Sequence, residues 1–300
     1  MSKHFLSLLD FSGEQIAAML KRAHTLREER NAGQPNEPVL AGKTLAMLFE
    51  KPSLRTRVSF EQGMLELGGH AIVLGRDEVG LGQREAVKDV AKVLGGMVHA
   101  VAARVFKHEH LEELAKYAGV PVINMLSDRS HPAQALADVL TMMDAFAPGD
   151  PKGLRGRTLA FVGDGNNVAR SLAVIADKLG FEFRIASPAG FELTDAPGSV
   201  VLVRDPKEAV AGADAVYADT FVSMGEEAEK ETKLAAFADY QINDALLSRA
   251  SGHAIVLHCL PAYRGIEITD AVMDGPKSRV FPQAHNRLHA QKGMLAELMG

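Results

Sequence analysis

From residue 44 onward the chain alternates short apolar runs with amphipathic stretches of helical period, and few folds accept that pattern. The runs fall at residues 44–49, 71–74, 100–103, 120–123, 158–162, 182–186, 200–203, 215–218 and 254–257. Each has the length of a buried strand. Between them Phe60, Met64 and Leu67, then Val87, Val90, Ala91 and Leu94, and later Leu172, Ile175, Ala176 and Leu179 recur at spacings of three and four. That places each set on one face of a helix. Strands alternating with amphipathic helices build βαβ units and parallel sheets, and such sheets hold ligands outside the carboxyl ends of their strands. Chemistry is therefore expected just after each apolar run. One helix precedes the series: Ser12-Gly13-Glu14-Gln15 is a capping box, and Ile16, Met19, Leu20, Ala23 and Leu26 line a face up to about Arg30.

At 300 residues the chain can fill two domains of ordinary size, and the densest turn cluster, Ala147-Pro148-Gly149-Asp150-Pro151-Lys152-Gly153, marks the expected boundary. The 33 Lys and Arg against 38 Asp and Glu leave a formal charge of −5, with no long basic run. That removes the electrostatic footprint of a nucleic-acid binder or of a protein held on an anionic membrane. No apolar run approaches the ~20 residues of a membrane span, and the apolar patch near the start is too short for a signal peptide, so a cytoplasmic location is expected. Cys259 is the only cysteine, which leaves no partner for an internal disulfide or a cysteine-based zinc site within the chain.

Glu50-Lys51-Pro52-Ser53-Leu54-Arg55-Thr56-Arg57 follows the first run. Pro52 stops the strand and Ser53 is a good N-cap, so a helix should begin close to Leu54 with its free amides turned toward the loop. Those amides, the positive end of the helix dipole, the Ser53 and Thr56 hydroxyls and a forked guanidinium suit a phosphate. Residues two apart on a helix lie about 200° apart around the axis, so Arg55 and Arg57 cannot both face one anion, and Arg55 is the expected ligand. A capped surface helix with two solvated arginines fits this segment by itself equally well. Arg104 ends another run. Ser130-His131-Pro132-Ala133-Gln134 follows a third, where a neutral His131 could donate to a carbonyl oxygen while the Gln134 amide could meet an amino group, although a His-Pro pair at a helix start also fits a simple cap.

In the second half, Gly163-Asp164-Gly165-Asn166-Asn167-Val168 stands between a strand and a helix. It is not a dinucleotide fingerprint. Val168 replaces the third glycine, and the next strand ends in Ser187-Pro188 where a ribose-binding acid is expected. Asp219 ends the 215–218 run and suits a substrate carrying ammonium groups, whereas Glu226, Glu227 and Glu229 read as the acidic start of a helix ending near Phe237. His258 and Cys259 close the last run. Neighbours on an extended chain point in opposite directions, so they are a poor metal pair.

Residues 50–61 closely resemble the carbamoyl-phosphate loop of the transcarbamylase family, and four further segments agree in family order: Arg104 at its strand end, His131-Pro132-Ala133-Gln134, Ser223-Met224-Gly225, and His258-Cys259-Leu260-Pro261. The last two are similar to the ornithine branch. The resemblance implies an α/β fold of two doubly wound parallel-sheet domains with the active site in the cleft between them. By it the domains comprise residues 1–147 plus 284–300 and residues 148–283, the final helix from about His285 returning to the first with Arg287 in its first turn. The implied reaction moves the carbamoyl group of carbamoyl phosphate to the δ-amine of L-ornithine, giving L-citrulline and phosphate, in arginine biosynthesis or, in reverse, the arginine deiminase pathway. Arg55, Arg104, His131 and Cys259 are then the catalytic residues. Carbamoyl phosphate would meet Ser53, Leu54, Arg55, Thr56, Arg104, His131, Gln134, Leu260 and Arg287. Ornithine would meet Asn167, Asp219, Ser223, Met224 and Cys259, with Leu260 bordering it. No metal or organic cofactor is implied, and the assembly is a homotrimer or a multiple of trimers.

Two departures stand out. Leu54 replaces the usual threonine, a change also similar to the acetylornithine branch. Gly80 stands where many members have a glutamine reaching a neighbouring subunit, and Gln83, three residues on, is the candidate substitute. Competing expectations are a transcarbamylase for acetylornithine or putrescine and a catalytically silent ligand-binding protein on the same fold.

Overall fold

The first apolar run becomes β1 (Thr44–Phe49), joined by β2 (His70–Leu74), β3 (Ala100–Arg104) and β4 (Val122–Leu126) in a parallel sheet of order β2-β1-β3-β4. The computed structural model of the chain describes residues 4–222 and 227–300. β3 is buried along its whole length and β1 is nearly so, as near-continuous apolar runs require, while β2 is an edge strand with an exposed alternation. From β1 the chain steps to β2 on one side, then returns to β3 on the other. Strand order thus reverses between β1 and β3, and the crevice of a doubly wound sheet opens at their carboxyl ends. β4 begins two residues later than its apolar run. Pro121 has no N–H for the ladder, although its carbonyl accepts from the Val101 amide at 2.9 Å.

The second sheet has order β7-β6-β5-β8-β9, built from β5 (Thr158–Val162), β6 (Glu182–Ala186), β7 (Val201–Val203), β8 (Ala215–Ala218) and β9 (Ile255–His258), again all parallel. Its reversal lies between β5 and β8. Phe161 and Tyr217 stack across these two strands with ring centroids 5.4 Å apart. The expected α/β class with two parallel sheets and flanking helices is what the chain forms.

Two compact units carry the sheets: Met1–Leu140 with His285–Gly300, and Thr141–Ala284. The divisions fall inside the helices Pro132–Phe146 and Val280–Met299, so the turn cluster 147–153 belongs to the second unit. The final helix starts at Val280, five residues before the expected His285. Pro282 sits in its first turn, where a missing N–H costs nothing, and Arg287 consequently lies about two turns in. Within the first unit that helix is clamped to Gly13–Asn31. A Cβ at Gly293 would meet the Met19 carbonyl oxygen at 2.4 Å and the Ala23 nitrogen at 2.7 Å, so only glycine permits the approach. Lys292, fully buried, donates to Asn36 Oδ1 and Glu66 Oε2, each at 2.6 Å. These ties fix the helix that presents Arg287. Among the described residues no helix is long and apolar enough to cross a membrane.

Candidate active site

In the first unit the turn after β1 behaves as its residues dictate. Ser53 is extended (φ −161°), and its Oγ accepts from the Thr56 amide at 3.4 Å, capping the helix Leu54–Glu66. Arg57 is exposed and pairs with Glu61 at 3.2 Å, whereas Arg55 is half-buried on another face. Leu54, the first helical residue, is 75% exposed, so its side chain turns outward while its amide stays at the helix start. At the end of β3 the register with β4 shifts between Ala103 and Arg104, the kind of irregularity that re-aims a side chain at a site. Arg104 is buried there.

His131, Gln134 and Arg287 are also buried in this unit. Burial holds the His131 pKa well below the ordinary histidine value, and the guanidinium charges of Arg287, Arg104 and Arg55 push it the same way. The ring is thus a neutral imidazole among three cations, able to donate one hydrogen bond to an oxygen without protonating it. Arg287 donates to Gln134 Oε1 at 2.7 Å and to Thr56 Oγ1 at 3.1 Å, and Gln134 Nε2 donates to Asp138 Oδ1 at 2.7 Å. Arginine can only donate and carboxylate only accept, so the orientation of the Gln134 amide is chemically determined. One lone pair of its oxygen remains for an amino group.

In the second unit Asp219, buried at the end of β8, is held from three sides. Its Oδ1 accepts from the Thr220 amide at 2.8 Å and the Cys259 thiol at 2.9 Å, and its Oδ2 accepts from Asn166 Nδ2 at 2.7 Å. Asn166 Oδ1 meanwhile accepts from the Val168 and Ala169 amides at 2.9 and 3.1 Å, capping the helix Asn167–Leu179. Lys233, buried, binds Asp164 Oδ2 at 2.6 Å, and the Asp164 carbonyl accepts from the Asn166 amide at 2.7 Å. Cys259 is partly accessible. The next residue, Leu260, has φ +58°, a left-handed conformation costing a leucine roughly 1–2 kcal/mol. Its amide donates to His258 Nδ1 at 2.9 Å. Because Nδ1 accepts, the ring proton sits on Nε2 and donates to Glu267 Oε1 at 3.1 Å, both side chains being fully buried.

The structure therefore brings Ser53, Thr56, Arg55, Arg104, His131, Gln134 and Arg287 together in one unit, and Asp219 with Cys259 in the other. Asn167 is half-buried at the first helical position, one residue beyond the asparagine that grips Asp219. Ser223 and Met224, with Gly225 and Glu226, lie outside the described residues. Glu229 is exposed and makes no side-chain cap for the helix Lys230–Ala236. Gly80 is left-handed (φ +62°) and closes the helix Arg76–Val79. A Cβ there would meet Arg84 Cβ at 2.7 Å, so this backbone suits glycine. Gln83 is exposed and lines a cavity of about 280 Å³ with Glu50, Arg76 and His110. Among the described residues no cluster of three or more His, Cys, Asp or Glu side chains could hold a metal ion.

Residues 3–144 match the model of the aspartate/ornithine carbamoyltransferase carbamoyl-P binding domain, and residues 155–298 match its Asp/Orn binding domain. The chain belongs to the aspartate/ornithine carbamoyltransferase family. It is 48% identical to the ornithine carbamoyltransferase of Methanocorpusculum labreanum over 100% of this chain and 99% of that protein. It is also 48% identical to that of Bacillus subtilis, over 99% of this chain and 94% of that protein. The solved ornithine carbamoyltransferase of Pyrococcus furiosus superposes with a TM-score of 0.92 at 45% identity, covering 99% of this chain and 97% of that one. Family membership leaves several linking residues to the structure. Asp138 could have been suspected from its i+4 spacing to Gln134, and Asn166 from its place before a helix, but the Lys233–Asp164 and His258–Glu267 pairs have no local signal.

Proposed function

We infer that the chain transfers the carbamoyl group of carbamoyl phosphate to the δ-amine of L-ornithine, releasing L-citrulline and phosphate. The observation that carries this reading is the buried Asp219 carboxylate hydrogen-bonded to Cys259 in the unit whose family model is the Asp/Orn binding domain. A fixed negative charge favours a substrate with ammonium groups and repels a dicarboxylate.

In this reading carbamoyl phosphate takes the anion turn, its phosphate on the amides from Leu54 and on Arg55, Arg104 and Arg287, its amino group on Gln134. Ornithine binds at Asn167, Asp219, Ser223, Met224 and Cys259, with Leu260 bordering both ligands. The δ-ammonium first loses a proton toward the Asp219–Cys259 pair. The neutral nitrogen attacks the carbamoyl carbon, and the carbonyl oxygen becomes an oxyanion stabilised by Arg55, Arg104 and the N–H of neutral His131. The carbon–oxygen bond to phosphate then breaks, the nitrogen gives up a second proton, and phosphate leaves with the electron pair. The reaction balances with the two substrates alone, and positioning plus preset donors supply the rate enhancement.

The same reading places the enzyme in the cytoplasm, in arginine biosynthesis or the reverse deiminase direction, as a trimer or a multiple of trimers. Its support for assembly is an apolar stripe on the helix Leu54–Glu66: Leu54, Val58 and Leu65 are 75%, 54% and 67% exposed, and Ile72 on the β2 edge is 41% exposed. Such a surface is characteristic of contact between copies. Gln83 is the proposed contact to a neighbouring copy. The test is competition among amines with purified protein. Ornithine should outcompete aspartate, putrescine and acetylornithine by a wide margin, and preference for acetylornithine would overturn the substrate assignment.

A further inference from the structure

Glu50 opens the anion turn, and its carboxylate is bonded to none of the side chains assigned to the substrates, yet it is fully engaged within the protein. Its amide donates to the Arg104 carbonyl at 2.9 Å, extending the β1–β3 ladder one step past Phe49↔Arg104. Its carboxylate turns back on the same segment: Oε2 accepts from the Phe106 amide at 2.6 Å. The other oxygen, Oε1, pairs with His110 Nδ1 at 2.9 Å, in the first turn of the helix His108–Tyr117. The Glu50 and His110 side chains are only 10% and 23% exposed, so this is not a solvated surface pair. The adjacent Lys51 places its ammonium 4.4 Å from the centre of the Phe106 ring. Two consecutive residues of the turn thus grip Phe106, one by its amide and one by its ring.

The consequence is geometric. Arg55 reaches the anion from the turn after β1, and Arg104 reaches it from the end of β3, where the register has just shifted. Nothing in an ordinary parallel ladder sets the path of the chain beyond its last hydrogen bond. Here the Val105 amide donates to the Leu126 carbonyl of β4 at 2.9 Å, and Glu50 ties the residues on either side of it to the anion turn with one donated and one accepted bond, while His110 backs the carboxylate from the following helix. We propose that Glu50, seated by His110, is a positioning residue that holds the Arg104 guanidinium in register with the anion turn for carbamoyl-phosphate binding. The proposal rests on the transfer reading above. An amide at position 50 can reproduce the arrangement, since Oε1 can accept from the Phe106 N–H while the new NH2 donates to Nδ1 of the other histidine tautomer. Alanine reproduces neither bond.

The test is titration calorimetry with carbamoyl phosphate alone, so that it does not depend on turnover. Glu50→Ala should weaken binding by about 10–100-fold, as expected for losing hydrogen bonds to a charged group next to the ligand's own contacts. Glu50→Gln should stay within about threefold of wild type. Glu50→Ala should also melt below Glu50→Gln, because the Phe106 amide loses its acceptor, but a merely structural role would stop there and leave the affinity of the folded variant unchanged. Should Glu50→Ala fail to fold, His110→Ala removes the backing ring alone and should weaken binding about tenfold. Wild-type affinity in Glu50→Ala, or in a folded His110→Ala when that variant carries the test, overturns the proposal. A wild-type chain that binds carbamoyl phosphate but makes no citrulline defeats the transfer reading and leaves this measurement standing.

Discussion

Replacing Asp219 with asparagine changes one atom and should be felt twice. Asp219 accepts three hydrogen bonds, from Thr220 N, Cys259 Sγ and Asn166 Nδ2. An asparagine has one accepting oxygen, and its NH2 must then face a donor. Asn166 cannot turn over to help, because its own oxygen already caps Val168 and Ala169. One buried N–H is therefore left unsatisfied, and unfolding free energy should fall by about 1–3 kcal/mol. The larger effect is on the amine. An ammonium ~4 Å from a carboxylate gains about 4 kcal/mol at an effective dielectric near 20, and mutational losses at such pairs run ~2–5 kcal/mol. Asp219→Asn should accordingly lower kcat/KM for ornithine by about 10²–10³-fold at 1.4 kcal/mol per decade. Carbamoyl-phosphate affinity should be unchanged, because every contact assigned to its phosphate lies in the first unit. Steady-state kinetics with each substrate varied separately, beside urea unfolding, decide the matter. A kcat/KM for ornithine within about threefold of wild type would refute the reasoning.

Three further outcomes are expected. Arg55→Ala should cut turnover by several orders of magnitude with the fold retained, since the helix cap is made by Ser53 and Thr56 and not by Arg55; near-normal turnover would remove Arg55 from the site. Urea unfolding at pH 7 and pH 5 should show stability falling with acidity, because burial, reinforced by nearby cations, keeps His131 and His289 neutral in the folded chain, His289 at a pKa of about 3. An unfolded histidine titrates near ~6.5, so the unfolded state binds more protons below that pH, and His289 alone should contribute about 2 kcal/mol of loss by pH 5; a flat dependence would contradict it. Alkylation should inactivate with one modification per chain, as Cys259 is the only thiol, with protection by ornithine plus carbamoyl phosphate. Cys259→Ser should shift the pH profile of kcat/KM while retaining some catalysis, and an unchanged profile with unchanged turnover would leave the proton to Asp219 alone.

Much of this was legible before any coordinates. Buried parallel strands are near-continuous apolar runs, and β1, β5, β6 and β8 fall where their runs do. The anion turn was legible because Pro52 and Ser53 carry local instructions for a strand end and a helix cap. The helical angle alone separates Arg55 from Arg57, and the structure shows the two on different faces, with Arg57 paired to Glu61. Glycine at position 80 ends a helix in the left-handed conformation against Arg84, a backbone geometry that residue type hints at but does not locate.

What escaped the sequence are relations between side chains that are remote along the chain. Asn166 and Asn167 are adjacent and chemically identical, and only the N-cap distinguishes them. The residue before the first helical turn has an extended backbone, which lets its side chain cap the helix with one atom and reach Asp219, 53 positions away, with another. The following asparagine is already the first residue of the helix. The same limit applies to Gln134, whose oxygen could be assigned only after Arg287, 153 residues on, was found on one side and Asp138 on the other. A motif states which functional group is available; the direction it faces is set by donors and acceptors that packing brings from other parts of the chain. That is why the motifs offered candidate groups, whereas the partners that orient them, Arg287 on Gln134 and Asn166 on Asp219, became visible only in the fold.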